Sequence, residues 1–215
     1  MTEIRKAAET DLLTIHEMAQ VVFRHTYREI LSPEQMEYMM DMMYSLPNLR
    51  KQLEEGHHYY IAYGPANQYT VCENHLSGNQ VVGAEPVVLM PCGYVSVQYV
   101  GPDPDGVEVF HLHKIYVMPD AQGRGVGMKL FQAVVQHVKA ALRIATDGED
   151  TTAIGISETS ITSVETTKAR IELNVNKFNA AVNFYKHLGM KVLLEEDFPI
   201  GNGFYKTDYI MGLDL

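Results

Sequence analysis

The most constraining feature of this sequence is a strand-like stretch that runs through a glycine-rich turn into an amphipathic helix. Residues 111–130 read HLHKIYVMPDAQGRGVGMKL. Apolar and polar residues alternate before the turn, which predicts a β-strand. After the turn, Leu130, Val134, Val135 and Val138 recur at helical spacing, which predicts a helix with one buried face. A strand, a tight turn and a long helix in this order favour an α/β protein.

The turn has the composition of an anion-binding site. Gly123, Gly125 and Gly127 lie where the helix begins, and the first N–H groups of a helix are unpaired and carry the positive end of its dipole. Glycines let these groups approach an anion closely. The P-loop string does not occur, and the dinucleotide pattern is missed by one position. Residues 122–127 satisfy the form Q/R-x-x-G-x-G/A. A tight loop without a ligand is the alternative.

The rest of the pattern predicts elements in the order β-ααα-β-β-β-α-β-α-β-β. Ser32 and Pro33 predict the start of the second helix, and Gly189 predicts the end of the last one. Hairpins in the middle and a strand–helix–strand crossover after them predict a mixed sheet rather than an all-parallel one. The first predicted helix has its apolar residues at helical spacing, namely Leu12, Ile15, Ala19, Val22 and Phe23.

We predict a single domain over residues 1–215, a length that fits one domain. Two segments break the pattern and are interpreted as insertions, at about 65–92 and 146–168; the first is rich in turn residues and the second in Ser, Thr and Glu. Cys72 and Cys92 form neither a disulfide framework nor a metal signature, and the nine histidines are scattered. No metal site is therefore expected.

Charge and hydropathy narrow the class of function. The net charge of −10 argues against non-specific nucleic-acid binding and is compatible with a cationic small substrate. No apolar run reaches the roughly 18 residues of a membrane helix. The first 20 residues are charged and lack the apolar core of a secretion signal. We therefore predict a cytoplasmic protein that binds neither nucleic acid nor a membrane.

Two separated motifs resemble the GNAT superfamily of acetyl-CoA-dependent N-acetyltransferases. They are the turn and the later segment NVNKFNAAVNFYKHLGM, residues 174–190, and the resemblance spans nearly the whole chain. TYREILSPEQM (26–36) and FPIGNGFYKTDYIM (198–211) are similar to the PaiA-type polyamine branch. The resemblance implies a GNAT-like, largely antiparallel sheet with a splayed strand pair, flanked by helices, and acetyl-CoA (coenzyme A) as cosubstrate. The two insertions depart from the family plan.

The resemblance also implies where coenzyme A binds. The diphosphate would contact backbone N–H groups of the turn, and the pantetheine arm would pair with the backbone of the preceding strand. An asparagine side chain would contact the cofactor near its pantetheine. These residues are Gln122, Gly123, Arg124, Gly125, Val126, Gly127 and Met128 in the turn, Ile115, Tyr116 and Val117 in the strand, and Asn179.

Amide formation from a thioester needs a base for the incoming ammonium and an acid for the departing thiolate. His111 and His113 alternate along the strand, so we expect both to share a face with Ile115 and Val117. Histidine titrates near neutral pH, and HLH resembles the paired histidines of arylalkylamine N-acetyltransferases. By the same resemblance Tyr185 is the acid, and the Val117 N–H is the oxyanion donor. The alternative for each side chain is an ordinary packing role.

We predict direct acetyl transfer to a primary amine, without an acyl-enzyme. A polyamine or another small amine is the first choice of acceptor, and a protein N-terminus or lysine is the second. The competing class is a non-catalytic coenzyme A-binding module. Tyr27 and Tyr38 are candidates for the border of the acceptor pocket. The sequence leaves open which histidine is the base and whether the chain forms a homodimer.

Overall fold

The computed structural model describes residues 2–65, 88–147 and 167–215, with side chains described to Arg143 in the second range. Within these ranges the order of strands and helices is the predicted one. The strands are β1 (Glu3–Lys6), β2 (His58–Pro65), β3 (Leu89–Pro102), β4 (Glu108–Val117), β5 (Ala169–Asn176), β6 (Lys191–Gly201) and β7 (Phe204–Asp214). The helices are α1 (Leu12–Tyr27), α2 (Pro33–Tyr44), α3 (Leu46–Glu54), α4 (Val126–Asp147) and α5 (Ala181–His187).

The strands form one seven-stranded sheet in the order β1-β2-β3-β4-β5-β7-β6. Every neighbouring pair is antiparallel except β4 and β5, which are parallel. A parallel pair needs a crossover connection, and α4 provides it. The predicted mixed, largely antiparallel α/β sheet is therefore confirmed.

Helices cover both faces of this sheet. On the first, called the α4 face, the buried stripe of α4 packs on the central strands. Of its predicted members, Leu130, Val134 and Val138 are buried, and Val135 is partly buried. On the second, called the α1 face, α1, α2 and α3 pack, and the apolar residues predicted for α1 are buried. The predicted start of α2 is confirmed, because Ser32 Oγ accepts the Gln35 N–H at 3.2 Å. Among the described helices, none is long and apolar enough to cross a membrane.

The first predicted insertion is too long at its C-terminal end. β3 begins at Leu89 and pairs there with Pro65 of β2, so residues 89–92 belong to the sheet. Cys92 is 1% exposed within the core. Pro91 and the turn-rich residues before it made this part of the strand resemble a loop in the sequence. Cys72 and most of both predicted insertions lie outside the described residues, and the single-domain organisation stays a prediction.

Candidate active site

The glycine-rich turn joins β4 to α4 and needs its glycines for two different reasons. Gly123 and Gly125 have φ angles of +72° and +78°, and an added Cβ would meet nothing within 4 Å at either position. They are required by backbone conformation, since residues with a side chain rarely adopt positive φ. Gly127 lies inside α4, where an added Cβ would be 3.2 Å from Phe184 Cζ. It therefore allows α5 to approach the start of α4.

The strands β4 and β5 separate in front of this turn. They pair at four positions, from Glu108 with Ala169 to His111 with Glu172, and not beyond. The outer edge of β4 stays bonded to β3 and that of β5 to β7. The inner edges from Leu112 and Leu173 onward therefore diverge, as the resemblance implied. The cavity between them, called the cleft, has a volume of about 800 Å³, within the usual range for small-ligand sites.

Most of the predicted site residues line this one cleft. Arg124, which is exposed, and His111 are absent from the lining. The residues brought together are His113, Ile115, Tyr116, Val117, Gln122, Gly123, Gly125, Val126, Gly127, Met128, Asn179 and Tyr185. Residues far apart in the sequence thus meet around one space.

The backbone of Val117 faces the open edge. The Met118 N–H donates to the Cys92 carbonyl of β3 at 2.9 Å. Successive backbone groups of a strand point to opposite sides, so the Val117 N–H and carbonyl point away from β3 and toward the cleft. Consistent with this, Gln122 Nε2 donates to the Val117 carbonyl at 3.1 Å. The Val117 N–H is thereby placed to donate to a ligand in the cleft.

Tyr185 reaches the cleft from α5. Its side chain is 7% exposed and packs within the core of the α4 face. Burial, with a smaller contribution from Tyr27, raises the pKa of its hydroxyl. The group therefore holds its proton at neutral pH, as a proton donor must.

Asn179 begins the turn into α5 and also lines the cleft. Its Oδ1 accepts the Ala181 N–H at 2.9 Å, which fixes the side chain. Burial raises the pKa of the nearby Tyr27 hydroxyl, and hydrogen bonds with Tyr116 and then with Asn179 oppose this rise. Tyr27 lines the cleft, as predicted for the acceptor border. Tyr38 does not; its hydroxyl donates to the Ile200 carbonyl at 2.9 Å.

The two histidines do not share a face with Ile115 and Val117, and that prediction is wrong. The register between β3 and β4 shifts by one residue, because Ser96 pairs with Lys114 while Val97 pairs with Leu112. His113 is the extra residue of this bulge, and a bulge exchanges the faces of the residues beyond it.

Both imidazoles lie on the α1 face, whereas Ile115 and Val117 pack against the α4 face. The His113 ring lies 4.6 Å from the His111 ring and stacks at 4.1 Å on His57, which in turn stacks on Tyr59 of the α1 face.

Burial keeps these histidines neutral. Burial, and after it the neighbouring His111, His57 and Lys114, lower the pKa of His113 to about 2. Burial and the charge of Lys206 lower the pKa of His111 to about 4. His113 Nε2 also lies 2.9 Å from Gln98 Oε1, which accepts its N–H. Both rings therefore stay unprotonated at neutral pH, and both are weak bases.

Sequence reasoning missed the most unusual group near the cleft. Lys114 is 5% exposed, donates to Gln52 Oε1 at 2.6 Å and lies over the rings of Tyr44 and Tyr59. Burial lowers its pKa to about 7. A lysine in an alternating strand usually indicates a solvent-facing position, so no sequence signal marked this one as buried.

Comparison with known proteins agrees with this geometry. Residues 65–192, more than half of the chain, match the model of the acetyltransferase (GNAT) domain family. No curated protein matches the sequence significantly. The PaiA N-acetyltransferase from Thermoplasma acidophilum, solved in complex with coenzyme A, is similar over 100% of this chain and 99% of its own, with 19% identity and a TM-score of 0.62.

Other solved structures share the fold. The ribosomal-protein-S18-alanine N-acetyltransferase from Escherichia coli has 16% identity and a TM-score of 0.55, over 100% of this chain and 94% of its own. Arabidopsis thaliana Naa50, in complex with the bisubstrate analogue CoA-Ac-MVNAL, has 11% identity and a TM-score of 0.53, over 100% and 99%. The family match and the opened strand pair together show that this chain belongs to the GNAT family and is an acetyl-CoA-dependent N-acetyltransferase.

Proposed function

We propose that this enzyme acetylates a small primary amine, with a polyamine as the first candidate, by direct transfer inside the cleft. One observation carries the proposal: β4 and β5 separate directly in front of the α4 N-terminus. A free strand edge and a helix N-terminus therefore face the same cavity. The PaiA structure that shares the fold bears the name of a polyamine branch, which supports the choice of acceptor.

The residues of the cleft fit coenzyme A. Acetyl-CoA supplies an activated acetyl group as a thioester. The N–H groups of Gly125, Val126 and Gly127 at the start of α4 would hold its diphosphate, because they combine unpaired donors with the helix dipole. The inner edge of β4 at Ile115 and Val117 would bond the amides of the pantetheine arm as a further strand does. The side-chain amide of Asn179 would reach the same arm.

Three groups would carry the chemistry. The Val117 N–H, turned toward the cleft, would stabilise negative charge on the carbonyl oxygen. Tyr185, which retains its proton, would donate it to the sulfur as the C–S bond breaks. His111 or His113 would accept the proton that the ammonium must lose before its nitrogen attacks. A C–N bond forms, a C–S bond breaks, and the net products are the amide, the free thiol and one proton.

The first test is thiol release from acetyl-CoA with a panel of amines that includes spermidine and N-terminal peptides. Small amines are expected to give the highest kcat/KM. Calorimetry with coenzyme A, run in parallel, separates cofactor binding from turnover. If coenzyme A does not bind, the proposed site is wrong.

The second test concerns the assigned side chains. Tyr185→Phe is expected to lower kcat by about 10²–10⁴-fold while coenzyme A binding is retained. Tyr63→Phe, a change on β2 away from the cleft, is the matched control and should leave kcat unaltered. An unchanged rate for Tyr185→Phe at all pH values excludes the acid role. His111→Ala and His113→Ala, compared with each other, identify the base.

A protein N-terminus or lysine is the second candidate acceptor. Two of the structures that share the fold are named for protein acetylation or bound to a peptide-bearing analogue. Peptides turned over faster than any small amine would favour this candidate. A cytoplasmic location and a homodimer stay predictions.

A further inference from the structure

Strands β5 and β7 carry polar side chains on the α1 face of the sheet, beside the cleft. Along β5 and β7, Val175 and Tyr209 pack against the apolar core of the α4 face. Their neighbours Asn176 and Asp208 point to the α1 face instead, because side chains alternate along a strand. Asn176 and Asp208 are paired with each other across the two strands.

Asp208 is the buried carboxylate among these polar side chains, and one of its two oxygens lacks a hydrogen-bond partner among the described residues. Its side chain is 2% exposed, and Oδ2 accepts from Lys206 Nζ at 3.0 Å. The other oxygen, Oδ1, is buried and has no hydrogen-bond partner among the described residues. A buried acceptor without a donor costs about 1–3 kcal/mol, and more when it is charged. Oδ1 therefore calls for a donor that the described residues do not supply.

The free oxygen lies next to the cleft. Asn176, the partner of Asp208, lies two residues along β5 from Asn174, which is on the same face and lines the cleft. Tyr27 lines the cleft, and its hydroxyl is 3.5 Å from that of Tyr116. The carbonyl of Thr207 also accepts the Lys177 N–H at 3.1 Å, which ties β7 to the loop carrying Asn179. Because Oδ1 is buried, an ammonium group entering from the cleft would have to displace a side chain of the cleft wall to reach it.

We propose that Asp208 Oδ1 binds a second ammonium group of the acceptor, one that does not react; this rests on the proposed function. A carboxylate favours the charged form of an amine beside it. The nitrogen held by Asp208 therefore stays protonated and is not the nucleophile. The acceptor that satisfies this site is a diamine or polyamine, with one nitrogen at Asp208 and another free to attack.

The wild-type enzyme tests the proposal without mutation. The acceptors 1,4-diaminobutane and 1-aminobutane have the same carbon chain and differ in the second ammonium. The diamine is expected to have a kcat/KM at least about tenfold higher, from a charge-assisted hydrogen bond that only it can make. Equal kcat/KM values for the two amines would overturn the proposal.

The variant Asp208→Asn tests whether Asp208 is responsible for the preference for the diamine. Asp208→Asn should raise KM for 1,4-diaminobutane about tenfold or more, leave kcat/KM for 1-aminobutane unchanged, and leave coenzyme A binding unchanged. Asp197→Asn, an exposed change on β6, is the control and should alter none of these. Equal losses for both amines would mean a merely structural role and would overturn the proposal. If Asp208→Asn fails to fold, the wild-type comparison decides.

Calorimetry separates this inference from the proposed function. The complex of the enzyme with coenzyme A is titrated with 1,4-diaminobutane and with 1-aminobutane. If no amine is acetylated, the proposed function fails, and tighter binding of the diamine would still support the site at Asp208. If amines are acetylated but the diamine binds no more tightly, only the assignment of Asp208 is wrong.

Discussion

The α4 face of the sheet is packed mainly with aliphatic side chains, whereas the α1 face buries tyrosines, histidines and a lysine. Leu130, Val134 and Ile171 are fully buried on the first face. On the second, Tyr44 and Tyr94 are fully buried, and Lys114 and His57 nearly so. The two faces stabilise the same sheet by different means.

Because of this difference, we expect the pH dependence of the free energy of unfolding to come mainly from the α1 face. Hydrocarbon burial does not depend on protonation, so the aliphatic side chains of the α4 face should contribute the same stability at every pH. His137 on α4, whose pKa burial lowers to about 4, is an exception on this face. On the α1 face, burial and then the charge of Lys114 lower the pKa of His57 to about 4, and burial lowers that of Lys114 to about 7. Stability on this face is therefore linked to proton binding.

The largest expected effect is on the α4 face. Leu130→Ala should reduce the free energy of unfolding by about 2–5 kcal/mol, because it removes a fully buried side chain and leaves a cavity. The loss, measured by urea denaturation, should be the same at pH 7 and pH 9. Gln136→Ala, exposed on the same helix, is the control and should stay within about 0.5 kcal/mol of wild type. A loss that differs between the two pH values would contradict the comparison.

The second effect has the opposite sign and lies on the α1 face. The burial that lowers the pKa of Lys114 costs the folded state free energy at pH 7, so Lys114→Met should raise the free energy of unfolding by about 1–4 kcal/mol. The pKa of this lysine is near its ordinary value of 10.5 in the unfolded chain and about 7 in the native state. Between these values the unfolded chain binds more protons, so wild-type stability should rise with pH.

Lys114→Met should abolish that rise between pH 7 and pH 9, as measured by urea denaturation. Lys139→Met, an exposed change on α4, is the control and should keep the wild-type slope. Equal slopes in Lys114→Met and wild type would show that this lysine is not the titrating group.

The contrast between the faces also explains what could be predicted from sequence. The stripe of Leu130, Val134 and Val138 follows helical spacing, and the fold built on it is confirmed. The bulge at His113 could not be predicted, because one extra residue leaves the alternation of the preceding residues intact. Lys114 faces the helices only because of that bulge, and its burial depends on α2 and α3, which are distant in sequence. The candidate cleft was predictable from the turn and the later motif, and the polar α1 face was not.

The third effect is acid sensitivity. The native pKa values of His57 and His113 are lowered to about 4 and about 2, so between pH 6.5 and pH 4 the unfolded chain binds more protons than the native one. The free energy of unfolding should therefore decrease as the pH is lowered from 6.5 to 4. His113→Gln should recover about 1 kcal/mol of that loss, since solvent screening reduces the full linkage. His25→Gln, an exposed histidine on α1, should recover none; an equal recovery would place the sensitivity elsewhere.

The smallest expected effect comes from removing a tyrosine hydroxyl on the α1 face, at Tyr44 or at Tyr59. The Tyr44 and Tyr94 hydroxyls are buried close to each other, and neither makes a hydrogen bond of ordinary geometry to a described residue. Tyr44→Phe removes a polar atom without a partner, so it should leave the free energy of unfolding unchanged or raise it by up to about 1 kcal/mol.

Tyr59→Phe, in contrast, removes a hydroxyl that donates to Gln52 Oε1 at 2.5 Å, the same oxygen that accepts from Lys114. It should lower the free energy of unfolding by about 1 kcal/mol. Urea denaturation of the two variants measures both signs. If Tyr44→Phe lowers the free energy of unfolding as much as Tyr59→Phe, the Tyr44 hydroxyl has a hydrogen-bond partner in the folded protein.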